Sequence, residues 1–247
     1  MTPSRWHLLF MLHAFGLTHI GCVRHNNEDV FRLEDDVGLY LVANGMGGAQ
    51  AGEVAASLAV EAVLEHFRLS PQKSASALCQ AFEWAHLRVL DAAKRDPEIR
   101  GMGCTLVAAL CDEQTIYLAN VGDSRAYVFS DGTCEFITSD QTWVNEVGRK
   151  LGLSDEELNK HHLRHVLTIA IGSEGSFRVN SATIPLNKDT RILLCTDGLH
   201  DVVSDSDIAE IMMRKDPPDW KCHLLVQAAR DAGGPDNITV AVLQNGS

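Results

Sequence analysis

The order of the apolar runs constrains the fold of this chain more than any other feature. Three strand-like runs come first, at 14–21, 30–34 and 38–43, and two helical stretches follow. Over 51–67, apolar residues recur at Val54, Leu58 and Ala62 and at Ala55, Ala59 and Val63; over 74–93 they recur at Leu78, Phe82, Ala85 and Val89. Spacings of three and four put each set on one face of a helix. Strand-like runs return at 105–111, 115–120, 125–129 and 134–137, with turn pairs such as Asp112-Glu113 and Asp131-Gly132 between them. A polar stretch over 141–176 holds a short helical piece near 155–160. Strands at 181–184 and 190–195, helices at about 205–214 and 219–231, and a last strand at 237–243 complete the pattern. Turn-linked strands interrupted by helix pairs do not alternate as β-α-β. The pattern therefore argues against a doubly wound parallel sheet and predicts antiparallel sheets with helices packed outside.

No repeat, linker or low-complexity tract divides the 247 residues, which are enough to bury a core without a metal or disulfide staple. At 45% hydrophobic and 22% charged, the chain is neither disordered nor a multi-spanning membrane protein. Acidic residues outnumber basic ones, 33 to 21, for a formal net charge of −12, and no basic stripe offsets that field. Nucleic acid is thereby excluded as a partner, whereas cations suit such a surface. The seven cysteines are odd in number, form no C-x-x-C pair and sit mostly in apolar runs, which reads as buried free thiols in a reducing compartment, the cytoplasm by default. The stretch 6–17 is too short to span a bilayer and is broken by His7 and His13. It is read as a short extra segment in preference to a signal peptide, so residues 1–13 form an N-terminal extension and 14–247 one domain.

Several apolar strands end in a short polar residue and glycine. The run 39–43 leads into Asn44-Gly45-Met46-Gly47-Gly48, the run 192–195 into Thr196-Asp197-Gly198, and the run 118–121 into Gly122-Asp123-Ser124-Arg125. Glu28-Asp29 and Asp236-Asn237 each precede a strand-like run. Asn-Gly and Asp-Gly are common hairpin turns, a reading that suffices for Gly122-Asp123, which has a strand on each side. After Asn44-Gly45 and Asp197-Gly198 a helical pattern follows, so those pairs present a side chain and a bare carbonyl at a sheet edge. Several such exits on one edge would gather the hard oxygen ligands that Mg²⁺ or Mn²⁺ takes. Spacing alone leaves both readings open.

Five segments, taken in order, resemble one family. Arg24-His25-Asn26-Asn27-Glu28-Asp29, Val42-Ala43-Asn44-Gly45-Met46-Gly47-Gly48, Val121-Gly122-Asp123-Ser124-Arg125, Cys195-Thr196-Asp197-Gly198-Leu199 and the run 233–240 are similar to the motifs of the PPM (type 2C) metal-dependent protein serine/threonine phosphatases in their compact bacterial form. The resemblance spans about residues 14–243. It implies an α+β fold: a β-sandwich of two antiparallel sheets flanked by helix pairs in four α-β-β-α layers, with metals at one edge. It also implies a flap over about 141–176 that overhangs the site.

By the same resemblance Asp29 holds a metal partly through water, with Glu28 supporting it. Asp197 and Asp236 ligate one ion of a central Mn²⁺ or Mg²⁺ pair, and Gly45 offers its carbonyl to the other. Asp123, with Asp197, matches the position of a third, looser ion. Arg24 grips the substrate phosphate, because a guanidinium fork matches phosphate oxygens and stays charged. The implied chemistry is in-line attack on phosphoserine or phosphothreonine proteins by a water shared between the metals, with Arg24 and the ions offsetting the growing negative charge. No serine or cysteine nucleophile is needed; Cys22 and Cys195, near the motifs, are read as core thiols. The implied setting is a monomer opposing a Ser/Thr kinase, away from membrane.

One departure bears on activity. The family expects a metal-bridging Asp where this chain has Asn44. An amide oxygen is neutral and its other arm donates, so it cannot bridge two cations as a carboxylate does. The chain as written is therefore expected to be severely impaired. Asn44 is then either an engineered substitution in an active parent or native to a catalytically silent phosphoprotein-binding regulator; the intact remainder of the ligand set favours the former. A metal-dependent phosphodiesterase is a further rival. Met46 stands where many eukaryotic members have a histidine proposed as general acid, which leaves protonation of the leaving group to water or another residue. Gln141 replaces a frequent histidine with no evident consequence. His161, His162 and His165 are read as solvated flap residues in preference to a zinc site, and Trp6, Trp84, Trp143 and Trp220 as packing residues.

Overall fold

The computed structural model describes residues 12–47, 51–130 and 132–245. In chain order the strands are β1 (Leu12–His19), β2 (Asp29–Glu34), β3 (Leu39–Met46), β4 (Gly103–Cys104), β5 (Leu106–Cys111), β6 (Thr115–Val121), β7 (Arg125–Ser130), β8 (Thr133–Phe136), β9 (Asn180–Pro185), β10 (Arg191–Cys195) and β11 (Ile238–Asn245). The helices are α1 (Ala51–Leu69), α2 (Ala75–Arg95), α3 (Asp155–Lys160), α4 (Asp197–His200), α5 (Asp205–Met213) and α6 (Pro218–Asp231). One sheet has the order β1-β11-β10-β7-β8; the other has β2-β3-β5-β6-β9, with β4 added beside β3, and every pairing is antiparallel.

The central strands are apolar along their whole length because both faces are covered. On β6, Ile116 and Leu118 point into the layer between the sheets, whereas Tyr117, Ala119 and Val121 face the α1–α2 pair. On β10, Ile192 and Leu194 face the other sheet and Leu193 and Cys195 face α4–α6. The alternation of period two thus divides the core into three apolar layers and makes the four-layer α-β-β-α sandwich. The helix boundaries have local causes. Ser74 caps α2 by accepting from the Ala77 amide at 3.1 Å, Ser154 and Glu157 form a reciprocal capping box on α3, and Ser204 caps α5. Alanines on α1, among them Ala55, Ala56 and Ala59, let that helix lie close on β3.

Three expectations are corrected. Leu12 and His13, assigned to an N-terminal extension, belong to the sandwich, because they pair with Asn245 and Gln244 in β1–β11. Residues 1–11, with Trp6 and His7, lie outside the described residues, as do Gly48 and Asp131. Gly122-Asp123 is not a hairpin turn, because β6 and β7 belong to different sheets and the chain crosses between them there. Gly122 has φ +92°, and a Cβ on it would run into Thr105. Cys22 and Cys134 are exposed, while Cys104, Cys111, Cys195 and Cys222 are buried as expected. The loop holding Cys22 packs against the end of α6 by backbone contacts, leaving the thiol outside.

The segment 141–176 is tied to the sandwich by a Thr142–Leu167 bridge and a Cys104–Ile171 bridge. His161 follows α3 and stacks between Trp143 and His162 at 4.5 and 4.6 Å.

Candidate metal and phosphate site

Antiparallel pairing brings one set of strand ends to a single rim: the end of β3, the start of β2, the β6–β7 crossing, the end of β10 and the start of β11. Every motif residue expected at the site lies on that rim. Asn44 and Asp29 are register partners across β2–β3. Thr105 links the sheets there, bonding to Ser124 Oγ at 2.6 Å and accepting from the Asn44 amide at 3.3 Å. Asn237 stitches the β1–β2 loop to β11, accepting from the Glu28 amide at 2.9 Å and donating to the Ile20 and Asn26 carbonyls.

These elements enclose a cleft of about 630 Å³ whose walls include Arg24, Glu28, Asn44, Gly45, Asp123, Asp197 and Asp236. Gly45 must be glycine here, because a Cβ would collide with the Gly52 carbonyl. Arg24 donates to Asp236 Oδ2 at 2.7 Å, and the Asn44 amide donates through Nδ2 to Asp197 Oδ1 at 2.7 Å. Glu28 accepts from Asn26 at 2.8 Å. Asp29, only 6% exposed, lies behind the cleft wall, where one carboxylate oxygen accepts from Thr196 at 2.9 Å and the other is buried without a partner.

The electrostatics are those of crowded, desolvated carboxyls. Burial pushes Asp29 up to about 8. Burial and the neighbouring Asp197 raise Asp123 well above the usual range. Asp197 is raised by burial, against the pull of His200, and further by Asp201 and Asp236. Such a set suits a divalent cation: hard oxygen donors, excess negative charge and an orphaned buried oxygen on Asp29. Among the described residues no three His, Cys, Asp or Glu side chains are arranged to hold one ion by themselves. The Gly45 carbonyl, the Asn44 side chain or water would therefore have to complete any coordination shell.

Sequence reasoning missed several residues of the rim. Gln141 is buried and accepts from the Gly122 amide at 2.9 Å, which fixes the crossing that carries Asp123. Arg125 grips Asp140 with three contacts of 2.7 to 3.2 Å. His200 donates to the Asp123 carbonyl at 3.0 Å, and His165 Nδ1 stands 3.0 Å from Asp201 Oδ2. Gln141, His165 and Arg125 stand out in the sequence only as a departure from a frequent histidine, a flap residue and a motif member, with no sign of these contacts.

An α-β-β-α sandwich with an arginine among carboxylates at one rim agrees with the arrangement that the resemblance to metal-dependent serine/threonine protein phosphatases implies. The chain belongs to the protein phosphatase 2C family, whose model matches residues 18–220. It is 32% identical over 241 residues to the serine/threonine phosphatase Stp of Listeria monocytogenes, covering 94% of this chain and 96% of that protein. It is 34% identical over 237 residues to the protein phosphatase PhpP of Streptococcus pneumoniae, covering 92% and 95%. The solved catalytic domain of the phosphatase PstP in complex with two manganese ions superposes with a TM-score of 0.86 at 30% identity, covering 96% of this chain and all of that one.

Proposed function

We propose that this chain is built to hydrolyse phosphoserine and phosphothreonine in proteins, opposing a Ser/Thr kinase, and that Asn44 throttles it. The observation that carries this reading is the bond from the Asn44 amide to Asp197, inside a rim that otherwise keeps every expected side chain. A pair of Mn²⁺ or Mg²⁺ ions would be held by Asp197, Asp236, Asp29 and the Gly45 carbonyl, with Asp123 offering a looser third position. Bound there, the ions would supply Lewis acidity and a lowered pKa for water.

The chain's own residues do the rest. Arg24 presents a fork to the phosphate once it turns from Asp236, and its charge offsets the negative charge that grows on the phosphoryl oxygens. Glu28 adds negative charge to the cleft wall, and Asp29 stands behind it with a carboxylate oxygen free for a cation. Segment 141–176, the proposed flap, supplies His165 and Leu167 to the cleft and so bears on which phosphopeptides enter. Asn44 brings no negative charge and points a donor at Asp197, so one oxygen needed for a cation is already engaged.

The same bond supports a second reading, a catalytically silent regulator that binds phosphoprotein without cleaving it. Asn44→Asp separates the two. Assayed with Mn²⁺ on a phosphothreonine peptide, it is expected to gain about 100-fold or more over the unaltered chain. No gain would leave the silent regulator standing. Cleavage of a phosphate bis-ester but not of the peptide would favour a phosphodiesterase. The chain is expected to act as a monomer in the cytoplasm; no helix among the described residues is long and apolar enough to cross a membrane.

A further inference from the structure

Splitting a phosphoserine or phosphothreonine ester releases an aliphatic alkoxide, a strong base, so the departing oxygen needs a proton as its bond to phosphorus breaks. Met46, on the cleft wall, has a thioether and no proton to give. His165 lines the same cleft from segment 141–176 and is half-exposed. Its Nδ1 stands 3.0 Å from Asp201 Oδ2. Asp201 follows α4, with its amide donating to the Asp197 carbonyl at 2.9 Å, so the partner of His165 is fixed to the element that carries a rim carboxylate.

With Nδ1 engaged, Nε2 is the nitrogen left to meet a substrate. The nearby imidazole of His200 is 2% exposed and turned to the Asp123 carbonyl, which takes it out of contention. His161 and His162 are stacked beside Trp143. Asp201 Oδ2 thus offers an acceptor that holds the Nδ1 proton and orients the ring. Arg24, Glu28, Asp123, Asp197 and Asp236 are the other charged groups of that cleft, and Arg164 precedes His165 on its own segment.

From this geometry we propose that His165, held at Nδ1 by Asp201, is the proton donor to the serine or threonine oxygen that leaves phosphorus. The proposal rests on the phosphatase reading above. As a water oxygen bonds to phosphorus, the ester P–O bond breaks with its electron pair on the side-chain oxygen. That oxygen takes the Nε2 proton of the imidazolium. The neutral imidazole regains a proton from solvent, which receives the one the attacking water gives up, so ester and water become alcohol and phosphate. Asp201 is a positioning residue.

The test compares two substrates in the Asn44→Asp background: a phosphothreonine peptide, and p-nitrophenyl phosphate, whose phenolate leaves with little need of a proton. His165→Gln is expected to lower the peptide-to-p-nitrophenyl ratio of kcat/KM about 100-fold. Asp201→Asn is expected to lower it in the same direction by less. If the His165 contact merely fastened the segment, both substrates would slow together. A ratio within about threefold of the parent overturns the proposal, however far the separate rates fall. A second readout needs no turnover. In ¹⁵N-histidine NMR of the unaltered chain, the phosphothreonine peptide is expected to shift His165 Nε2, and no shift there overturns the proposal. Inactivity of Asn44→Asp on both substrates would count against the phosphatase reading, while the NMR result would still decide the placement of His165.

Discussion

At the scale of single residues, the chain keeps charge where chemistry needs it and also buries it where packing gives it no such role. Asn44 differs from aspartate by one atom and one charge, yet it turns a group that would repel Asp197 into a donor bonded to it at 2.7 Å. Lys221 is the opposite case, a fully buried ammonium on α6 whose Nζ donates to Gln244 Oε1 at 2.8 Å. Burial, and then Arg191, lower it to about 8. Because its folded value lies below the unfolded one, the unfolded chain binds more protons between about pH 8 and 10.5. This residue's contribution to stability therefore improves as pH rises through that window, and its cost is greatest below it. Buried Cys104, Cys111, Cys195 and Cys222 titrate in the opposite sense at high pH, since burial raises each thiol. The informative quantity is thus a difference. Lys221→Met is expected to be more stable than the parent by about 1–3 kcal/mol at pH 7, with the gap closing by pH 10.5, read from urea midpoints at each pH.

At the scale of elements, the rim depends on how loops are tied to strands. Arg125, at the start of β7, holds Asp140 at the root of segment 141–176, and Asp140 is 7% exposed. Asp140→Ala leaves a mostly buried guanidinium with only the Tyr127 hydroxyl at 3.1 Å and Asp205 at 3.9 Å for partners and is expected to cost about 3 kcal/mol. Hydrogen exchange should rise first in 141–151, and unchanged exchange there would show that the pair does not anchor the segment. This tie was not legible in the sequence, where Arg125 and Asp140 are two charges in different surroundings. The helices were legible because caps and apolar stripes are local: the run 155–160 and the starts of α2 and α5 follow from Ser154, Ser74 and Ser204. The crossing at Gly122 misled because a turn between two strands reads alike whether they pair or part. What settles the matter is Gln141 and Thr105, brought in from elsewhere in the chain. Cys22 misled for a related reason: its exposure depends on how its loop docks beside Gly234.

At the scale of the molecule, antiparallel topology does the gathering. Residues 24, 44, 123, 197 and 236 are scattered over most of the chain, yet each sits at a strand end or the adjoining loop on one rim of the sandwich. Their convergence was legible through five short motifs in order, whereas the Asn44–Asp197 bond, the burial of Asp29 and the His165–Asp201 pair required the folded chain. This rim suits a pair of divalent cations, and one neutral side chain, Asn44, is expected to weaken the pair. Manganese stoichiometry measures this directly, by titrating the unaltered chain and Asn44→Asp with Mn²⁺ in a calorimeter under the same conditions. Tight binding of two ions per chain is expected in Asn44→Asp, with the loss or marked weakening of at least one of them in the unaltered chain. Equal stoichiometry and affinity in the two proteins would contradict it.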